Sequence, residues 1–341
     1  MSDAETLLDS LRRDGWVRDP HAFLTPLTGG VSSDIYLVQD GRERFVIKRA
    51  LAKLRVKDDW FADTGRNATE QAYILCVACF LPEAVPRLRL SNKEAGYFSM
   101  EFLDAEFANW KKLLLDGVGE TAHAAQAGTI LGTIHRKTSG AAEVAWNLDT
   151  TKGFYQLRIE PYLLTTGQRH PRLREFFERE ASRLAATSES LVHGDFSPKN
   201  ILIGGQRMVL LDCEVAWYGD PTFDVAFLLN HFFLKSLYHA PKDFGGEKMV
   251  NSFWEAYLAA NENVNAVLVK QRLVPLLLML MLARVDGKSP VEYLTEPKRQ
   301  FIRDFVQKQL PSPPEDLARL GQIWYAEVIN TFPQFPILSP T

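Results

Sequence analysis

Val192-His193-Gly194-Asp195-Phe196-Ser197-Pro198-Lys199-Asn200-Ile201-Leu202, followed by Leu210-Leu211-Asp212-Cys213-Glu214, is the stretch whose reading decides the fold. It sets an aspartate, an asparagine and two further carboxylates at spacings that phosphoryl transfer from a metal–nucleotide complex requires. Asp195 is placed to take a proton from a hydroxyl, and Asn200, five residues on, to hold a metal ion from the same turn. Asp212 and Glu214, on the next strand, complete that metal shell. Two carboxylates two residues apart on a strand point to opposite faces, so Glu214 needs a local irregularity to share a metal with Asp212.

Upstream lies material for a nucleotide. Thr28-Gly29-Gly30-Val31-Ser32-Ser33 falls in a bend between strands, where paired glycines let backbone N–H groups approach phosphate oxygens and Ser32 and Ser33 add donors. Lys48 closes the run Phe45-Val46-Ile47-Lys48, within reach of those phosphates, and Glu70, 22 residues later on a helix, is placed to pair with it. A lone strand-end lysine or surface helix glutamate is commonplace; the ordered series of glycine turn, strand lysine and helix glutamate is not.

The 341 residues, 46% hydrophobic and 24% charged, are ordinary for a globular chain and ample for a core. A net charge of −3 gives no sign of a bulk nucleic-acid or anionic-membrane binder, so any polyanion site is expected to be local. Cys76, Cys79 and Cys213 form no disulfide framework, which points to a reducing, cytoplasmic setting. Cys76 and Cys79 have metal-pair spacing but sit in a helical stretch without a second pair, and read as buried helix residues. The most apolar run, Leu273 to Ala283, is too short to span a bilayer and reads as a core helix.

Residues 1 to 22 read as a leading amphipathic helix carrying Leu7, Leu8 and Leu11. Strands are expected around Ile35–Val38, Phe45–Lys48, Arg87–Ser91 and Tyr97–Phe102, with a helix over 67–80 between the pairs. Helical periodicity takes over after Leu103-Asp104, as in Ala124–Arg136 and Arg172–Ala186. The expected organisation is α+β: residues 1–103 as a nucleotide-binding lobe of antiparallel sheet with one helix, and 104–341 as a larger helical lobe. Residues 49–66, mixed in charge, read either as a lid or as a solvated loop.

The series from Gly29 through Lys48, Glu70, Asp195, Asn200 and Asp212 resembles the protein-kinase-like fold in its small-molecule branch, over roughly residues 23 to 300. That branch holds aminoglycoside phosphotransferases, choline kinases and methylthioribose kinases. The resemblance implies ATP and Mg2+ as cofactors, Asp195 as catalytic aspartate, Asn200 and Asp212 as magnesium ligands, and a Lys48–Glu70 ion pair over the phosphates. It also implies that Asp224 braces the catalytic-loop backbone, and that Met100-Glu101-Phe102-Leu103 is the hinge, with Glu101 and Leu103 against the adenine.

Departures from protein kinases narrow the acceptor. Gly194 stands where they carry the arginine that meets a phosphorylated activation loop, and 11 residues from Asp212 to Asp224 leave no room for such a loop or a peptide platform. Asp212-Cys213-Glu214 resembles the Asp-Pro-Glu of methylthioribose kinases, whereas Asn200 departs from their loop. The acceptor is therefore expected to be a small hydroxylated molecule: a sugar-like metabolite, an amino alcohol or an aminoglycoside-type antibiotic. The alternative is a nucleotide-binding pseudokinase with a regulatory or scaffolding role, against which the intact base argues. Lys199 is either an extra cation at the transferring phosphoryl or a loop charge. Trp217, Tyr218 and Arg284 are the candidate acceptor contacts, Arg284 being equally suited to capping its helix's dipole.

Overall fold

The computed structural model describes residues 3–27, 33–51, 65–262 and 266–333. Gly29, Gly30 and Ser32 of the glycine turn, and most of the 49–66 segment, lie outside the described residues.

A hairpin sets the geometry of the N-terminal lobe. Strands β2 (Ser33–Asp40) and β3 (Glu43–Ala50) pair Asp40 with Glu43, which leaves Gly41 and Arg42 as a two-residue turn. Gly41 has φ +60°, the left-handed conformation such a turn demands and glycine adopts without strain. Alternation along β3 then sorts its side chains. Phe45 and Ile47 join Leu7 and Leu11 of helix α1 (Asp3–Arg13) in one cluster, while Val46 packs with Phe98 and Met100 in another. Lys48 falls on the second face, away from α1. The full sheet adds β1 (Phe23–Pro26), β4 (Leu88–Asn92) and β5 (Tyr97–Glu101) in the order β1-β2-β3-β5-β4, antiparallel throughout.

Helix α2 (Arg66–Ala78) buries Arg66, Asn67, Glu70, Tyr73, Ile74 and Val77, the three-and-four spacing of one helical face. Glu70 therefore points inward with the rest of that buried face. The pair at its end is only partly the buried one expected: Cys76 is half-buried, but Cys79 is exposed because the helix stops before it.

After Glu101 the chain is mostly helical. A short strand β6 (Ala108–Asn109) leads into α3 (Trp110–Leu115), then α4 (Thr121–Thr138), α5 (Ala142–Asn147) and α6 (Thr151–Phe154). A π-helix over Tyr155–Leu164 continues into α7 (Thr165–Arg169), followed by α8 (Arg174–Ala186). Pro161 lies within the π-helix; a proline supplies no N–H to an α-helical ladder. Strands β7 (Ser190–Val192), β8 (Ile201–Gly204), β9 (Arg207–Leu210) and β10 (Trp217–Gly219) make two small sheets, β10-β7 and β6-β8-β9. The fold closes with α9 (Thr222–His239), α10 (Gly246–Ala260), α11 (Ala266–Asp286), α12 (Glu296–Gln309) and α13 (Leu317–Thr331). The core-helix reading of Leu273 to Ala283 holds within α11, and no helix among the described residues is long and apolar enough to cross a membrane.

Helices α4 and α10 touch backbone to backbone. A Cβ on Gly128 would lie 2.3 Å from the Phe253 carbonyl oxygen, and one on Gly132 2.7 Å from that of Tyr257. Backbone cannot yield as a side-chain tip does, so Gly128→Val should cost about 1–3 kcal/mol or more. A thermal melt followed by circular dichroism should show a clearly lowered midpoint; an unchanged one would mean the helices separate freely.

Candidate active site

The loop His193–Asn200 joins β7 to β8 and is held from beneath. Asp224, in the first turn of α9, accepts the amide N–H of His193 at 2.6 Å and of Gly194 at 2.9 Å. Gly194 has φ +75°, and a Cβ there would sit 2.5 Å from the Val215 carbonyl oxygen. Any larger residue would push the loop off its brace. His193 Nδ1 accepts the Asp195 amide at 3.2 Å, and burial holds the imidazole pKa below its ordinary value. A neutral ring is what that acceptor role needs, so His193 supports the loop.

The Asp195 carboxylate meets two cations at Oδ2: Arg158 Nη2 at 2.9 Å and Lys199 Nζ at 3.1 Å. Burial alone would raise its pKa, but Lys199 and then Arg158 hold it well below the usual carboxylate range. Asp195 is therefore ionised near neutral pH. Asn200 spends its Nδ2 on the Asp195 carbonyl at 3.1 Å, which leaves Oδ1 as the atom it could offer a cation. Arg158 was not legible in the sequence. It comes from the π-helix, donates also to the Gly194 and Leu157 carbonyls, and rests over the Tyr162 and Phe227 rings at 5.6 and 5.8 Å.

Across the cleft, Lys48 Nζ lies 2.7 Å from Glu70 Oε2 and 2.5 Å from Asp212 Oδ1, with Lys48 and Glu70 each 1% exposed. Burial penalises the ammonium, yet Asp212 and Glu70 more than compensate and raise its pKa. Burial also pushes the Glu70 carboxyl up. Beyond β9 the chain leaves the strand, and Asp212 adopts φ +61°, the one left-handed non-glycine residue among those described. That irregularity overrides strand alternation. Ligand oxygens of Glu70, Asp212 and Glu214 lie within 4.8 Å of one another. Glu214 is further held by Arg66 at 3.2 Å and by the Ser33 hydroxyl at 3.5 Å. Nothing in the sequence marks Arg66 as that partner.

These donors fit a hard cation: carboxylate and amide oxygens suit Mg2+. Asp212, at 27% side-chain exposure, is the most open of the three carboxylates. Glu70 is committed to Lys48.

Other expected site residues fall elsewhere. Trp217 is 1% exposed and stacked on Phe154 at 3.5 Å. The Tyr218 hydroxyl donates to the carbonyls of Thr138 and Glu189, both at 3.0 Å. Both expectations are corrected: β10 pairs with β7 and turns these aromatics into the core. The Glu101 carboxylate is tied to Arg87 at 2.9 Å and Arg207 at 2.8 Å, and its amide to the Arg87 carbonyl. Leu103 follows in the link between the lobes. Arg284, near the end of α11, donates to the Tyr162 hydroxyl at 3.2 Å and to Ser289.

Residues 24–261 match the model of a phosphotransferase enzyme family. Among curated proteins, the methylthioribose kinase of Pectobacterium atrosepticum is 22% identical over 309 residues, covering 75% of this chain and 74% of that protein. Among solved structures, an amicoumacin kinase in complex with AMP-PNP and Ca2+ superposes with a TM-score of 0.54 at 16% identity, covering 94% and 97% of the two chains. A microcompartment-associated aminopropanol kinase gives 0.53 at 12% identity, covering 94% and 98%. The choline kinase of Streptococcus pneumoniae gives 0.50 at 16%, covering 91% and 100%. These likenesses establish the bilobal protein-kinase-like fold.

One cation near this set has no carboxylate of its own. Lys235 of α9 is 1% exposed, has no ion pair or hydrogen bond among the described residues, and lies 5.2 Å from the centre of the Tyr293 ring. Burial, helped by Lys111 and Arg284, lowers its pKa from 10.5 to about 7. A base whose folded pKa lies below its unfolded value penalises folding fully below about 7, and the penalty fades as pH rises toward 10.5. Lys235→Met should therefore raise the melting temperature by roughly 3 °C or more at pH 6, with the advantage shrinking toward pH 10. Calorimetry across that range checks the sign.

Proposed function

The chain belongs to the phosphotransferase enzyme family, and from that footing we propose that it is an ATP- and magnesium-dependent kinase that phosphorylates a hydroxyl of a small molecule. The observation that carries this is the Asp195 carboxylate, ionised and clamped between Arg158 and Lys199, on a loop that ends at Asn200, whose carbonyl accepts the amide of Leu211 next to Asp212. A mere binding module has no use for a charged, positioned base.

In this reading Asp212 and Asn200 hold Mg2+, with Glu214 beside them, and Lys48 steadies the nucleotide phosphates from the opposite wall. The metal, when bound, neutralises charge on the phosphates. The Leu103 backbone, with no hydrogen-bond partner among the described residues, offers an edge for adenine, whereas the Glu101 amide two residues before is already taken. The acceptor hydroxyl donates its hydrogen bond to Asp195. Its oxygen attacks the terminal phosphorus, the bond to the bridging oxygen breaks, ADP departs, and the proton passes to Asp195. Because Lys199 and Arg158 keep Asp195 a weak base, the proton moves late, once the new P–O bond has formed. Lys199 then lies beside the transferring group.

The acceptor is small. Residues 213 to 237 are buried, which supports the absence of an exposed activation segment for a peptide. Methylthioribose, amino alcohols and aminoglycosides are the acceptor types suggested by the relatives and by the sequence pattern.

Asp195→Asn should lower kcat by about 10²–10⁴-fold while AMP-PNP affinity stays within a few-fold. Isothermal titration and an ADP-release assay measure the two separately, and full turnover by the variant would remove Asp195 as base. Asp212→Asn should instead abolish the response of nucleotide affinity to Mg2+. An unaltered magnesium dependence would move the metal elsewhere.

A further inference from the structure

Helix α9 carries a stripe that begins at the catalytic loop and runs away from it. Asp224 binds the loop, Phe227 supports Arg158 and packs against Tyr162 at 5.6 Å, His231 lies against Phe227 at 5.8 Å, and Lys235 follows one turn later. Across from the stripe, Arg284 donates to the Tyr162 hydroxyl and sits 5.8 Å from its ring centre, so Tyr162 lies between Arg158 and Arg284. His231 is within electrostatic reach of Lys235, Arg284, Asp195 and Lys199 together. The base and these cations therefore belong to one neighbourhood.

Its charge is lopsided. Glu292, the carboxylate whose charge favours the Lys235 ammonium, is paired with Lys111 at 2.5 Å. Asp195 is shared by Arg158 and Lys199. Lys235 and Arg284 have no carboxylate partner among the described residues, and Arg284 Nε and His231 Nδ1 are buried with no hydrogen-bond partner. A lysine buried without an anion is unfavourable in a resting core and is relieved by an anionic ligand. An ammonium-bearing acceptor would instead meet the Arg284 guanidinium and find no carboxylate beside Lys235.

We propose that the acceptor is a small hydroxylated anion, its carboxylate or phosphate held by Lys235 and Arg284 while its hydroxyl lies at Asp195. This rests on the kinase reading above and narrows its acceptor. From Phe227, beside Arg158, to Lys235 the helix advances about 12 Å, so the anion lies at the far end of a metabolite-sized molecule. Amino alcohols and polycationic antibiotics are disfavoured on the same ground.

The test is a size-matched panel under ATP and Mg2+ with ADP release as readout, in four arms: hydroxy and sugar acids, sugar phosphates, neutral polyols and sugars, and amino alcohols with aminoglycosides. Turnover concentrated in either anionic arm is expected, and the better arm identifies the anion. Lys235→Met, chosen because it removes a buried charge and should fold, and Arg284→Gln should each raise the KM of that acceptor by about 10- to 100-fold, with kcat and AMP-PNP affinity little changed. Preference for a neutral or cationic arm, lost on Asp195→Asn, would overturn the anion assignment and leave the kinase reading intact. No turnover in any arm despite AMP-PNP binding would overturn both. Anionic turnover unaffected in KM by either variant would also sink the assignment.

Discussion

Lys48 is the charge around which the two lobes are organised. Its ammonium is buried between Glu70 from α2 and Asp212 from the loop after β9, so strand, helix and loop share one centre. Taking an ammonium and a carboxylate out of water costs several kcal/mol per ion, repaid only when the geometry is close. Here it is close, and the consequence is positional. Strand alternation sends Lys48 to the face opposite α1, the buried face of α2 must turn Glu70 inward, and Asp212 must approach from the other lobe. Leaving any one partner unpaired would strand a buried charge, so α2 and the loop after β9 are held in mutual register.

The second constraint lies below the catalytic loop. Asp224 satisfies two backbone amides at the point where Gly194 turns left-handed against the Val215 carbonyl. With the backbone pinned, the Asp195 side chain is set by Arg158 and Lys199. The two cations do opposite things for chemistry: they lower the basicity of the carboxylate, and they fix its direction. Where positioning and charge around the phosphoryl carry most of the acceleration, a fixed weak base serves better than a mobile strong one.

Much of this was legible because short-range patterns specify it. Lys48, Glu70, Asp195, Asn200 and Asp212 stand out by motif order and spacing, Asp224 only through the family resemblance, and the antiparallel sheet and helical lobe follow from periodicity. Glu214 marks where that logic stops: alternation sends it away from Asp212, and a left-handed φ at Asp212 brings it back. Arg158 sits in a π-helix whose altered spacing no regular period announces. Trp217 and Tyr218 stand next to the metal carboxylates in sequence, yet a three-residue strand turns them into the core. Lys235 was hidden inside an apolar helix, where composition points to packing alone.

That hidden position bears on how such a fold changes its acceptor. Helix α9 is one rigid rod, buried over nearly its whole length, and its N-terminal turn braces the His193–Asn200 loop. Positions 231 and 235 lie two and three turns farther along the same rod, too distant to disturb the Asp224 contacts when their side chains change. On the proposal above, substitutions there would alter the charge that an acceptor meets without moving Asp195, Asn200 or the loop after β9. The carboxylates that suit a cation gather on the Lys48 side of Asp195, and the unpartnered cations on the α9 side. A nucleotide–metal complex and an anionic acceptor would then each find opposite charge on its own wall. Asp195 stands where the two walls meet, and its cationic clamp keeps the carboxylate from repelling either one.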